Sequence, residues 1–272
     1  MKVRLVLIMG FFAIHPVYSA FDYPAFSPRH AALANSILAG NGIRDGFVRN
    51  PALAASATAF YGALNYSQLF DLKELRYTNG LIELPLQGVG LGVSVEDFGG
   101  ALYREDKISF AVARLLYGGK LALGISVHWY HVSAKNYESI SALGVSVGVQ
   151  YQVTSHLSAA GVVDNVNQPR MNGFSEQLPQ RISMGMFYRV SDDMRAYIAM
   201  QKDSWYSPEL TMGVEYQLFP GLHLMTGYST QASIPTAGLE MKAAKIEIGY
   251  SLQYHFELGV THFVGIAYVP GK

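Results

Sequence analysis

Ser126 and His128 stand two apart in the segment KLALGISVHWY. A serine beside an imidazole is the beginning of a nucleophile–base pair, and on a strand, where residues two apart share a face, the two side chains would meet. A hydrolase also needs a group that orients the base, and the one Gly-x-Ser-x-Gly in the chain, GVSVG at Gly144 to Gly148, lies inside an alternating segment with no helix behind it to make an elbow. The pair reads more simply as polar lining on one face of a sheet, and no enzyme is expected. His128 and His131 are three apart, so a strand sends them to opposite faces and they cannot share a metal. His255 and His262 flank one short connection and could approach each other, but no third ligand accompanies them, so neither a metal site nor a cofactor is expected. GVGLG, Gly88 to Gly92, has the glycines of a dinucleotide-binding turn, yet it lies inside an alternating strand with no helix behind it.

The elements that would position these groups alternate with period two. In KIEIGYSLQYHF, Ile246, Ile248, Tyr250, Leu252 and Tyr254 alternate with Lys245, Glu247, Gly249, Ser251 and Gln253. In PELTMGVEYQLF, Leu210, Met212, Val214, Tyr216 and Leu218 do the same, and each such segment has one greasy and one polar or small face. About fourteen strands are expected, at 56–68, 74–85, 88–99, 104–117, 120–133, 138–153, 156–166, 179–190, 194–203, 208–219, 222–231, 236–243, 245–255 and 259–269. Strands of soluble sandwiches run about five to six residues. These run about ten to twelve, the length of a tilted membrane strand. Tyr117, Trp129, Tyr130, Tyr151, Tyr188, Trp205, Tyr216, Tyr254 and Tyr268 lie near segment ends, where interfacial girdles form. Connections after even-numbered strands are short (LQG, YGG, TSH, SDD, PG, AAK), whereas those after odd-numbered strands are longer, above all NQPRMNGFSEQL, Asn167 to Leu178. Short periplasmic turns and longer outer loops mark an outer-membrane barrel. The expected fold is therefore all-β, a closed transmembrane antiparallel barrel.

Composition agrees. Apolar residues make up 50% of the 272 and charged residues only 15%, against about 25% charged in an average chain. The net charge is +0, which gives nucleic acid no basic surface, and the absence of cysteine excludes a disulfide scaffold. Residues 1–19 read as a secretory signal: Lys2 and Arg4, then LVLIMGFFAIHPV, then a cut after Ser19. Residues 20–55 are expected to form an N-terminal plug, with a short helix in SPRHAALANSILAG and a corner at Asn50, Pro51 and Ala52, and 56–269 to form the barrel. Glu96, Arg181, Arg189, Glu209, Glu215, Glu240, Lys242, Lys245 and Glu247 fall on the polar parity, and Arg181, Arg189, Glu215, Lys245 and Glu247 are taken as lumen-facing. Both signs are present, which favours internal salt bridges over a selectivity ring. Arg114 falls on the apolar parity, at a bulge or near the interface.

The Asn-Pro-Ala corner after a short N-terminal segment, followed by some fourteen strands, resembles the FadL-like outer-membrane barrels. Within that group, SVGVQYQVTSHLSAAGVVDNVNQPRM, LPQRISMGMFYRVSDD, ELTMGVEYQLFPGLHLMTGYST and YSLQYHFELGVTHFVGIAYV, in this order, are similar to the PorV/PorQ family. The chain departs from those relatives where SPRHAALANSILAGNGIRDG replaces a glycine-rich MGGA phrase, and at the end, where VPGK follows Tyr268. The resemblance implies an outer-membrane location and, from PorV/PorQ, an accessory of protein secretion or surface assembly with envelope or secretion-system partners. From FadL it implies the alternative, uptake of a hydrophobic small-molecule ligand, the plug moving so that the ligand leaves sideways through the wall into outer-membrane lipid. Uptake further requires an apolar pocket between plug and wall. A soluble periplasmic binding protein is the remaining reading.

Overall fold

The computed structural model describes residues 20–21, 25–40, 42–171, 177–204 and 206–270. The expected signal segment, Trp205 and the centre of the Asn167–Leu178 loop lie outside them. Fourteen antiparallel strands close into one barrel. They are β1 Tyr61–Gln68, β2 Arg76–Leu86, β3 Val89–Gly99, β4 Tyr103–Leu116, β5 Leu121–Ala134, β6 Ile140–Gln152 and β7 Leu157–Asp164. The second half comprises β8 Arg181–Arg189, β9 Met194–Asp203, β10 Glu209–Phe219, β11 Leu222–Ser229, β12 Ile234–Ala243, β13 Ile246–His255 and β14 Gly259–Tyr268. Every strand pairs with its sequence neighbours, and β1 closes on β14 from Gly62↔Tyr268 to Gln68↔His262. Closure lets a sheet cross hydrocarbon, because each backbone N–H and C=O then has a partner.

The alternation decides which face meets lipid. On β13, Ile246, Ile248 and Tyr250 are exposed while Glu247 and Ser251 are buried; on β8, Met184 and Met186 are exposed while Ser183 is buried. This inside-out burial suits a wall with hydrocarbon outside and polar side chains within, and it removes the soluble reading. Tyr117, Trp129, Tyr151, Tyr188, Tyr216, Tyr254 and Tyr268 are all exposed. Tyr130 is the exception: it follows outward Trp129, so its parity turns it into the lumen, where it is buried.

Several boundaries shift for local reasons. The wall begins at Tyr61 rather than 56, because Pro51–Ser56 coils into a 3-10 turn capped by Asn50. β7 stops at Asp164 because Asn165 turns left-handed, φ 52°, and the Asn167 side chain takes over its pairing, accepting from Val145 N at 2.9 Å and donating to Leu143 O at 2.8 Å. β8 accordingly starts at Arg181. Arg114 causes no bulge: it pairs in register with Val89 and Leu123, two residues before β4 ends.

The N-terminal segment runs inside the barrel. Among its described residues the one α-helix, α1 (Pro28–Ala32), is shorter than SPRHAALANSILAG suggested. Ser27 caps it and Pro28 is preorganised for the first turn; Ala34 and Asn35, at φ 49° and 59°, end it. The segment starts beside the outer end of β4, where Phe21 N donates to Glu105 Oε2 at 2.6 Å. It then descends to the periplasmic end and joins β1 through the Pro51–Ser56 turn.

The orientation of the wall can be tested in a chain with no cysteine of its own. Ile125→Cys, Val214→Cys and Ile248→Cys should stay unlabelled by a membrane-impermeant maleimide in intact envelopes. Tyr137→Cys, in an outer connection and 80% exposed, should label readily.

The candidate site: a plug seated on glycines and held by ion pairs

A chain folded into a lumen must satisfy its own backbone groups and find room for its side chains. Wall side chains supply the first need. Asn79 Nδ2 donates to Phe26 O at 2.6 Å, Thr236 Oγ1 to Ala32 O at 2.6 Å, and Gly40 N to Gln150 Oε1 at 2.7 Å.

The Asn-Pro-Ala corner is a junction with three partners. Asn50 Oδ1 accepts from Ala52 N at 3.0 Å, and its Nδ2 donates to Leu38 O at 2.8 Å and to Val149 O at 3.4 Å. One side chain thereby caps the 3-10 turn, holds the plug's preceding bend and touches β6. Room comes from Gly124 and Gly148, directly opposite each other on β5 and β6: a Cβ on Gly148 would overlap Asn50 Oδ1, and one on Gly124 would overlap the Pro51 backbone. The opposite wall repeats the device, with Gly213 facing Gly227 across β10 and β11 beneath Leu33. The inward glycines thus form a seat for the plug.

Electrostatics hold it there. Glu215 on β10, 1% exposed, receives Arg29 of α1 at 2.9 Å, Arg195 of β9 at 2.9 Å, His223 Nδ1 of β11 at 2.8 Å and the Tyr197 hydroxyl at 3.0 Å. Arg29 also forms a short ion pair with Glu240 of β12. Burial works against the charge on Arg29, but Glu215 and Glu240 outweigh it and raise its pKa well above the ordinary value. Arg44, farther along the plug, pairs with Glu247 of β13 at 2.7 Å. Within the plug, Ser27 Oγ donates to Asp45 Oδ2 at 2.7 Å, and His30 Nε2 lies 3.3 Å from Asp45 Oδ1.

The lumen therefore has two ends of different character. At the outer end Tyr130, Val132, Ala142, Met171 and Leu178 form an apolar cluster against Phe21 and Ile140, with the Phe21 and Tyr130 rings 4.7 Å apart. Asn165 pins the long loop there, accepting from Tyr130 OH at 3.1 Å and donating to Pro179 O at 3.0 Å. Just below is a cavity of about 90 Å³ bordered by Lys107, His128, Asp164 and Arg181. At the periplasmic end a cavity of about 280 Å³ opens between plug and wall, bordered by Arg44, Arg189, Arg195, Glu240, Lys242 and Glu247.

The residues singled out in the sequence are placed as follows. Arg181 borders the outer cavity and Arg189 and Glu247 the periplasmic one, while Glu215 is the buried hub of the ion pairs beside the periplasmic cavity. Lys245 lies exposed in the turn between β12 and β13, because the polar parity runs one residue past the wall. Ser126 and His128 do meet, at 3.0 Å, but Ser109 rather than a carboxylate stands on the other ring nitrogen, at 2.8 Å. His255 caps its own turn, while His262 bonds Tyr250. Sequence reasoning missed Arg29, Arg195, Tyr197 and His223. The signal available was a carboxylate, Glu215, on an inward position of a wall that needed a cation from somewhere.

Replacing Glu215 by Gln strands Arg29 and Arg195 without their shared counter-charge. The expected cost is about 3–5 kcal/mol, read from unfolding in detergent, together with faster tryptic cleavage of the plug at Arg29 and Arg44. Glu138→Gln, on an exposed outer connection, should change neither.

No family model and no curated protein matches the chain. Solved structures do. It is similar to the toluene transporter TbuX of Ralstonia pickettii, with a TM-score of 0.71 and 12% identity over 92% of this chain and 100% of that one. It is similar to the toluene transporter TodX of Pseudomonas putida, with a TM-score of 0.67 and 10% identity over 92% and 98%. A FadL homologue of Pseudomonas aeruginosa gives 0.64 and 10% over 90% and 98%. At such identities the likeness concerns the fold alone: this chain is an outer-membrane β-barrel of fourteen antiparallel strands with its N-terminal segment seated in the lumen.

Proposed function

We propose that the barrel passes small hydrophobic molecules across the outer membrane and that its N-terminal segment is the stopper. The observation that carries this reading is the apolar cluster at the outer mouth. Phe21, the start of the described plug, packs there with Tyr130, Met171 and Leu178, so the first surface a hydrophobic molecule meets belongs partly to the plug itself. The likeness to two toluene transporters over nine-tenths of the chain, plug included, supports the same reading. An apolar pocket between plug and wall, which uptake requires, is not formed in this closed arrangement among the described residues: the cavities at both ends carry Arg, Lys, Asp or Glu. A hydrocarbon would therefore gain its pocket by displacing Phe21 and leave sideways rather than continue through the charged lower lumen.

The test is uptake of radiolabelled toluene by cells carrying the protein in their outer membrane. Uptake should exceed that of cells lacking it, and Phe21→Arg, which puts a charge at the greasy mouth, should abolish the difference. Equal uptake with and without the protein would overturn the reading.

A second reading, an accessory barrel of protein secretion, is favoured by the filled lumen and by the ordered phrases that resemble PorV/PorQ, which occupy the wall from β6 to β14. It expects co-purification of envelope proteins with the barrel and no steady conductance in planar bilayers.

A further inference from the structure

The cavity of about 280 Å³ at the periplasmic end has more positive than negative lining. Five basic side chains border it, Arg29, Arg44, Arg189, Arg195 and Lys242, together with His223. Three carboxylates answer them: Glu215 takes Arg29, Arg195 and His223, Glu240 takes Arg29, and Glu247 takes Arg44. Among the described residues the Arg189 and Lys242 side chains have no ion pair and no hydrogen bond. Arg189 stands directly opposite Arg195 across β8 and β9, and like charges in that position destabilise a sheet unless something negative intervenes, whereas Lys242 stands opposite Glu247 across β12 and β13.

The geometry points to a binding site for a small dianion, of the phosphate or dicarboxylate type, wedged between plug and wall. Three observations define the ligand. Its charge is set by the excess of five basic side chains over the three carboxylates that meet them, and guanidinium groups match planar or tetrahedral oxyanions through paired N–H donors. Its size is bounded by a volume just under the roughly 300–1,000 Å³ of ordinary small-molecule sites. Its polarity follows from a lining in which only Ile43, Phe187 and the rings of Tyr61 and Tyr197 are apolar, which leaves no channel for a long alkyl tail. Arg29 and Arg44 belong to the plug, whereas Arg189, Arg195 and Lys242 belong to the wall. An anion among them bridges the two and stabilises the seated plug. The site is independent of whether hydrocarbons cross the barrel.

The experiment uses the full-length protein in detergent, with inorganic phosphate and succinate as separate probes and sodium chloride at matched ionic strength as the control. Isothermal titration should give saturable binding of at least one dianion, and that dianion should raise the midpoint of thermal unfolding above the chloride control. The Arg189→Gln, Lys242→Gln double variant, checked for its strand circular dichroism spectrum, should bind about tenfold more weakly or worse. Binding of phosphate alone would assign the site to phosphate-type ligands, and of succinate alone to dicarboxylates. Absence of saturable binding of both probes to the wild-type protein, or unchanged affinity in a correctly folded double variant, would overturn the proposal.

Discussion

Everything in this molecule depends on the seam between β1 and β14. A backbone amide left without a partner in hydrocarbon costs several kcal/mol, so a sheet that crosses the bilayer either meets its own other edge or does not cross. The seam runs from Gly62↔Tyr268 to Gln68↔His262, and the thirteen other strand pairs follow sequence order. With the edges abolished, the apolar parity of every strand is committed outward and the polar parity inward.

That commitment creates the problem the plug solves. A lumen ringed by fourteen strands is too wide for wall side chains alone to fill, and inward glycines such as Gly124, Gly148 and Gly213 widen it further. The plug restores the packing, but as a chain inside a polar tube it cannot rely on apolar contact alone. Its grip divides between shape and charge: the Asn50 corner fits where Gly148 has no side chain, and Arg29 and Arg44 meet carboxylates the wall holds ready. A stopper held this way has a definite seat and also a definite route of release, since ion pairs exchange with solvent ions in a way that buried hydrocarbon contacts do not.

The wall was legible because period two is a local property. The registers around Ile125, Val214 and Ile248 can be read from a dozen neighbouring residues, and the Asn50-Pro51 corner announces itself in the same way. What escaped was non-local. Arg29 sits 186 positions from Glu215, and nothing in SPRHAALANSILAG says which strand will receive it. Tyr130 looked like a girdle residue because aromatic type and position near a strand end were weighed above parity, and parity won. The helix expected across Ser27–Gly40 shrank to Pro28–Ala32 because Ala34 and Asn35 take left-handed backbone angles that tertiary fit, not propensity, demands. Lys245 shows the opposite limit: a pattern extended faithfully by one residue runs off the end of the strand.

The positions of the plug's partners along the chain set an order of assembly. Its last turn, Pro51–Ser56, lies against β3 to β6, made soon after it, but Arg44 pairs with Glu247 of β13, and α1 rests on β11 to β14 with ion-pair partners on β10 and β12. A nascent chain therefore carries the head of its stopper unattached until nearly all of the wall exists. The last hairpin, β13 with β14, supplies both part of that resting place and the edge that shuts the tube. Seating of the helix and closing of the ring therefore draw on the same final hairpin, a pairing of distant segments of the kind that forms slowly.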